Sequence, residues 1–299
     1  MSRALYAAPA LAAAALVFAA CFGDGAGRRK ETSLVAAGDI ASCWWRGDES
    51  TARLLDGIGG VVVTLGDNVY QSGTLDQYRR CYGPTWGRHL DRTRPTPGNH
   101  EYKTDEAAGY WEYFGDRAGE RGKGWYSYEV DGWHVVALNT NREALVAPGS
   151  EQLRWLREDL RRHPTRCALA YMHHPRFSSG GKHGDVTRVE PLWEILYEGG
   201  VDVVLAGHDH HYERFAPQTP SGARDDARGI RQFVAGTGGA PGYRLATPSK
   251  NSEARDAGAR GVLTLRFEPD AYAWEFVPIR GQRFTDRGRA ECNGPPRFR

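Results

Sequence analysis

Gly207-His208-Asp209-His210-His211 closes a short apolar, β-branched run, Val201-Asp202-Val203-Val204-Leu205-Ala206. Such a run reads as a buried parallel strand. The glycine ends it, and two histidines two residues apart in the following loop bring two imidazoles to one cleft. Three earlier runs end the same way. Leu34-Val35-Ala36-Ala37-Gly38 delivers Asp39, Val61-Val62-Val63-Thr64-Leu65-Gly66 delivers Asp67, and Cys167-Ala168-Leu169-Ala170-Tyr171-Met172 delivers His173. In open α/β sheets the site lies outside the carboxyl ends of the strands. Four strand ends carrying carboxylate and imidazole therefore predict one metal-binding edge.

Working outward, helical patterns alternate with these strands. They cover Asp48–Leu55, Thr74–Arg80 with Leu75 and Tyr78 inward, Asp105–Phe114, and Val189–Tyr197. Ser150 is placed to cap a further helix through Arg161, with Leu153, Leu156 and Leu160 at helical spacing. Asp131-Gly132 joins Trp125–Val130 to Trp133–Leu138 as a hairpin. Thr93–His100 reads as a short extended piece entering a loop, since proline biases its predecessor away from helix. Later strands fall at Tyr212–Ala216, Gln232–Ala235, Gly261–Phe267 and Ala271–Val277. The polar, Gly-rich stretches Pro217–Arg231 and Ala240–Ala259 are expected to be mobile. The order is β-α-β-α, then mostly β. It fits an α/β (α+β) fold: a four-layer α/β/β/α sandwich of two mixed sheets flanked by helices. Residues 34–299 read as one catalytic domain without an internal linker or repeat.

The 299 residues are 40% hydrophobic and 25% charged, an ordinary globular balance. Lys+Arg 39 against Asp+Glu 37 leaves no footprint for a polyanion or membrane surface, so nucleic acid is excluded as a partner. There is no Gly-x-Ser-x-Gly and no P-loop. Arg3 precedes an apolar run from Ala10 to Ala20, shorter than a typical membrane span. Residues 1–21 read as a secretory signal and 22–33 as a flexible tether. Phe18-Ala19-Ala20-Cys21 is similar to a lipoprotein box, with Phe18 where Leu is usual, so lipid on Cys21 is expected and ordinary cleavage nearby is the alternative. Contact with a membrane is expected only through that anchor. Cell envelope or secreted is the expected location. In an exported chain the other four cysteines read as two disulfides. Cys43–Cys81 would join the loops after the two Asp strands, and Cys167–Cys292 would tie down the tail; the other pairings stay open.

Five motifs occur in order: Gly38-Asp39, Gly66-Asp67-Asn68-Val69-Tyr70, Gly98-Asn99-His100-Glu101, His173, and Gly207-His208-Asp209-His210. Together they resemble the metallophosphoesterase (calcineurin-like) family over most of residues 34–215. The Asp-x-x-Tyr form is similar to its purple acid phosphatase branch, and Tyr171–Gly180 to a bacterial secreted group. The resemblance implies one metal on Asp39, Asp67, Tyr70 and His210, and another on Asp67, Asn99, His173 and His208. Carboxylate, amide oxygen and imidazole suit hard and borderline ions, and Asp67 has two oxygens with which to bridge a pair. Two ions roughly 3.5–4 Å apart clamp a phosphate and generate hydroxide at neutral pH. The implied activity is hydrolysis of a small-molecule phosphomonoester by metal-bound hydroxide, with His100 as proton donor and Asn99, His100 and His183 on the substrate. Many family members carry His two residues after the first Asp. Here that residue is Ala41, and Tyr70 takes up the vacancy. Phenolate favours Fe(III) beside a divalent Zn, Mn or Fe ion; Zn/Zn, Mn/Mn and calcium-containing pairs are alternatives. A phosphodiesterase on the same site, or a metal-stabilised surface protein without turnover, are the rival functions.

Other residues carry structural readings. His211 is expected to pack behind the ligands. His174 is the neighbour that a one-residue slip would exchange for His173. Glu101 and Arg214 are read as a charge pair orienting loops. Arg176 and Lys182 are read as solvent-facing, with phosphate contact as the alternative. Trp44 and Trp45 are read as core aromatics rather than as the mouth of the site.

Overall fold

The structure is a computed structural model and describes Met1 and residues 33–294. Its elements begin with β1 (Leu34–Ala37), β2 (Ala41–Ser42), α1 (Gly47–Gly57), β3 (Val61–Leu65), β4 (Val69–Tyr70), α2 (Leu75–Gln77) and β5 (Thr93–Thr96). Next come α3 (Ala108–Phe114), β6 (Tyr126–Val130), β7 (Trp133–Ala137), α4 (Glu143–Val146), α5 (Glu151–Arg162), β8 (Ala168–Met172) and α6 (Glu190–Glu198). The chain closes with β9 (Val203–Ala206), β10 (Tyr212–Phe215), β11 (Arg231–Ala235), β12 (Ser252–Asp256), β13 (Gly261–Phe267), β14 (Ala271–Pro278) and β15 (Arg287–Glu291).

Two mixed sheets result. One has six strands in the order β15-β14-β13-β1-β3-β5, the other seven in the order β12-β10-β11-β9-β8-β7-β6. β1, β3 and β5 are mutually parallel, and so are β7, β8, β9 and β11. A small parallel pair, β2 with β4, sets Ser42 opposite Tyr70.

Alternation along the strands builds the layers, because successive side chains leave opposite faces. Leu34, Ala36, Val63, Leu65, Leu169, Leu205 and Leu263 fill the core between the sheets. Their neighbours Val35, Ala37 and Val62 pack with Ala52 and Leu55 of α1 on one outer face. Ala168, Ala170, Met172 and Val204 pack with Leu153, Leu156, Leu160 and Leu192 on the other. This is the four-layer α/β/β/α sandwich.

Local signals act as their chemistry requires. The Ser150 side chain accepts from the Leu153 amide at the start of α5. Asp131 and Gly132 take φ of 49° and 80°, as a two-residue hairpin turn demands. Other stretches differ from expectation. The α-helix at Asp105–Phe114 starts only at Ala108, because Glu106 and Ala107 sit at φ 46° and 56° and break the ladder. Thr74–Arg80 gives three α residues and then a wider π turn over Tyr78–Tyr82. Ser252–Asp256, inside the stretch expected to be mobile, is an edge strand on β10. Arg287–Glu291 is a second edge strand, absent from the expectation. The first expected-mobile stretch is pinned too: buried Gln218 bridges Ile230 and Arg224. The sequence ranges assigned to signal and tether, with Cys21, lie outside the described residues except for Met1 and Ser33.

Candidate metal centre

The ends of β1, β3, β5, β8 and β9 deliver Asp39, Asp67, Asn99, His173 and His208 to one edge. The chain then adds Tyr70 after Asp67 and His210 after His208. Tyr70 Oη lies 2.8 Å from Asp39 Oδ1, 3.2 Å from Asp67 Oδ2 and 3.0 Å from His210 Nε2. Asn99 Oδ1 is 3.0 Å from His173 Nε2, which is 3.5 Å from Asp67 Oδ1 and 3.1 Å from His208 Nδ1. His210 Nε2 is 3.2 Å from Asp39 Oδ1. All seven ligand candidates thus meet, and Asp67 touches both halves of the group.

The imidazoles are aimed. His173 Nδ1 donates to the Leu65 carbonyl at 2.8 Å, and His210 Nδ1 to the Pro241 carbonyl at 2.8 Å. Each Nε2 is left bare toward the centre, the arrangement that fixes tautomer and ring plane in metal-binding histidines. The backbone is equally constrained. Asp39, Asp67 and His208 adopt φ of 60°, 47° and 72°, a region non-glycine residues seldom enter and one that clusters at functional sites. A Cβ on Gly98 would lie 2.1 Å from the Asp67 amide nitrogen, so only glycine lets Asn99 approach.

Burial and charge separate the proton affinities. Burial, then the Asp39 charge, pushes Asp67 up to about 6. Burial opposes ionisation of Asp39, but His210, His173 and His208 hold its carboxyl below the usual range. Burial drives the Tyr70 phenol well above its ordinary value, with both carboxylates adding to the rise. Burial takes His208 down to about 2, reinforced by His173 and His183, and lowers His173 as well. Burial opposes the charged form of His210 too, but the Asp39 charge and hydrogen bond raise it above its ordinary value. The neutral imidazoles of His173 and His208 beside a carboxylate pair are the kind of donor set a cation requires. The residues therefore fit a dinuclear site.

His100 and His183 both reach the rim. The His100 amide donates to Asp67 Oδ1 at 2.8 Å, its Nδ1 meets the Gln71 carbonyl at 2.7 Å, and its Nε2 stands 3.8 Å from Asp67 Oδ2. The His183 ring lies 4.1 Å from that of His208, centre to centre. His174 turns its Nδ1 to Thr140 Oγ1 at 2.8 Å while its ring abuts His173 and His208. His211 is buried on Glu213.

Three structural readings need correction. Glu101 does orient loops, accepting from the amides of Gly98, Asn68 and Val69, but Arg214 is not its partner. Arg214 pairs with Asp286 and Glu253, since it lies on β10, away from the β5 loop. Arg176 does not face solvent: it is buried and pairs with Glu190 at 3.0 Å. Trp44 is 67% exposed, and Trp45 lies on the Tyr70 ring, so neither is a core aromatic.

Three residues near the centre carry no sequence signal of their own. Asp209 accepts from Ser178 Oγ and the Gly184 amide, and so anchors the loop bearing His183. Glu213 holds Ser179, Ser252 and His211. Tyr243 stacks on His210 with ring centres 3.9 Å apart, and Lys182 Nζ donates to its hydroxyl at 3.0 Å. Asp209 lies inside the histidine motif, where its position between two ligands is the one clue available.

Comparison with known proteins agrees with this geometry. The calcineurin-like phosphoesterase family matches residues 32–212. Probable purple acid phosphatase 20 of Arabidopsis thaliana is 32% identical over 164 residues, 46% of this chain and 38% of that protein. Purple acid phosphatase 18 of the same plant is 30% identical over 230 residues, 69% of this chain and 49% of that one. Human acid phosphatase type 7 is 27% identical over 220 residues, 61% and 49% of the two chains. The matches thus span less than half of each of these relatives. Among solved structures, purple acid phosphatase PPD1 from yellow lupin seeds superposes with TM-score 0.71 at 19% identity, over 86% of this chain and 53% of that one.

Proposed function

Because the chain belongs to the calcineurin-like phosphoesterase family, we propose that it is an exported, metal-dependent phosphatase that hydrolyses small phosphomonoesters at a dinuclear centre. The observation that carries this is the convergence of side chains from Asp39 to His210 on one point, with two imidazoles pre-aimed by carbonyls. In the reading, Asp39, Asp67, Tyr70 and His210 hold one cation, and Asp67, Asn99, His173 and His208 the other. Such a pair polarises the phosphoryl oxygens and supplies a nucleophilic water at neutral pH.

The chain's own groups do the rest. His100 is held by Gln71 through Nδ1, which leaves Nε2 to carry the proton given to the departing alcohol. His183, beside His208 on the rim, contacts the phosphate. Glu101 fixes the loop under His100 by its three backbone contacts. The Tyr70 phenol between two carboxylates supports Fe(III) at the first position, with a divalent ion at the second. The Cys43–Cys81 and Cys167–Cys292 disulfides support export, where such bonds persist.

Metal analysis with a phosphoester panel tests the reading. Phosphate release from p-nitrophenyl phosphate, well above that from its bis ester, is expected. The reverse preference would make the protein a diesterase, and loaded metal with no turnover would reject catalysis. A visible phenolate-to-iron band with one iron per chain is expected; a colourless, iron-free preparation rejects the ferric assignment.

A further inference from the structure

A cleft of about 560 Å³ is lined by the Cys43–Cys81 disulfide, Trp44, Trp45, Arg46 and Pro84 among others. Its link to the metal centre is the contact of Trp45 with Tyr70. Ser42 stands opposite Tyr70 in the β2–β4 pair, so the chain emerging from β2 must cross the site's edge as Cys43-Trp44-Trp45. Trp45 lies against the Tyr70 ring at 5.2 Å between centres. His100 lies against the same ring at 4.3 Å. Tyr70 is thus the common neighbour of the proton donor and of the cleft wall.

We infer that this cleft receives the organic group of the ester, and that Trp44 and Trp45 select a planar aromatic or heteroaromatic one. The inference rests on the proposed phosphatase reading. An oxygen protonated by His100 leaves near the Tyr70 ring, and Trp45, which packs on that ring, is also a wall of the cleft. Trp44 is 67% exposed, the one large hydrophobic side chain beyond Met1 left that open among the described residues. Arg46 has no carboxylate partner among the described residues, unlike Arg53, which pairs with Glu49, and Arg80, which pairs with Asp76. A planar ring would stack on indole and guanidinium together. A small alkyl alcohol would reach neither.

The test compares 1-naphthyl phosphate with glycerol phosphate, and measures 1-naphthol binding by tryptophan quenching on the protein as purified. Trp45→Ala is expected to raise KM for the naphthyl ester about tenfold, the factor that roughly 1.4 kcal/mol of lost stacking corresponds to. KM for glycerol phosphate should stay within about twofold, and Trp45→Phe should recover most of the loss. Naphthol binding should weaken in parallel, and Trp44→Ala should act in the same direction. Equal change for both esters overturns the inference and makes Trp45 a prop for Tyr70; no change for either overturns it too. If the wild-type protein releases phosphate from neither ester, the phosphatase reading fails, and naphthol binding alone decides. Loss of that binding in Trp45→Ala upholds the cleft, and its persistence rejects it.

Discussion

His100 shows how much of the proposed chemistry rests on single side chains. Burial, and then the nearby Lys103 ammonium, lower its imidazolium pKa, although Asp67 and the Gln71 carbonyl work the other way. An acid whose pKa lies below the ordinary histidine value is protonated only on the acidic side. Turnover by the wild type should therefore fall as pH rises, with the fall lying below the ordinary histidine value. His100→Ala should lower kcat about 10²–10⁴-fold on esters with poor leaving groups, and this alkaline limb should vanish from its pH–kcat profile. An unchanged profile would remove His100 from the reaction. Gly98→Ala makes a backbone prediction. Its methyl would collide with the Asp67 amide, so bound metal per chain, read by elemental analysis, should fall even though no ligand is altered. Asp39, Asp67 and His208 were legible in the sequence because each follows a glycine at the end of an apolar strand, and His173 because it follows such a strand directly. Tyr243 was not, because its place on His210 depends on a loop closed by backbone contacts such as that between the Gly181 amide and the Arg244 carbonyl.

Elements with a strong pattern were legible and those held by backbone pairing were not. α5 has both a cap and a stripe of leucines, and Ser150→Ala should cost about 1 kcal/mol in urea unfolding. A loss below about 0.2 kcal/mol would mean that the cap is redundant with the hydrophobic face. β12 and β15 alternate between partly buried and exposed residues and lie at the outer edges of the two sheets. Such strands need ladder hydrogen bonds more than apolar side chains, so composition alone reads them as loop. The pairing of Glu101 with Arg214 failed for a related reason. Opposite charges suggest a pair, but Glu101 satisfies itself on three amides, and the sequence does not show which backbone groups a fold leaves open.

At the scale of the whole molecule, one disulfide and one buried carboxylate fasten the far end of the chain. Cys167 and Cys292 have Cα atoms 5.5 Å apart and join residues 125 positions distant. Next to them, Asp202 accepts from the Ala168 and Asn293 amides, yet burial pushes its carboxyl up to about 7. In the unfolded chain it titrates near 3.9. The folded state then holds the extra proton between those values, so this group's contribution is full below about 4 and is lost as pH rises through about 7. Unfolding free energy of Asp202→Asn should lack that decline; a slope equal to wild type would show that the group titrates normally. Chelation should also lower the melting temperature, since a ligand bound only by the native state stabilises it by mass action. No shift on chelation, with metal shown to be removed, would mean that the centre is preformed and contributes nothing to stability.

The placement of β13 has a further consequence. It lies between β14 and β1, antiparallel to the latter, so one flank of the first strand is closed by residues 261–267. A ribosome releasing the chain from its amino end exposes β1 long before that partner exists. The strand that ends at Asp39 must wait, half-paired, until nearly the whole polypeptide has been synthesised. A nascent chain arrested before Gly261 should accordingly be cut by protease near β1, and one extended past β14 should resist.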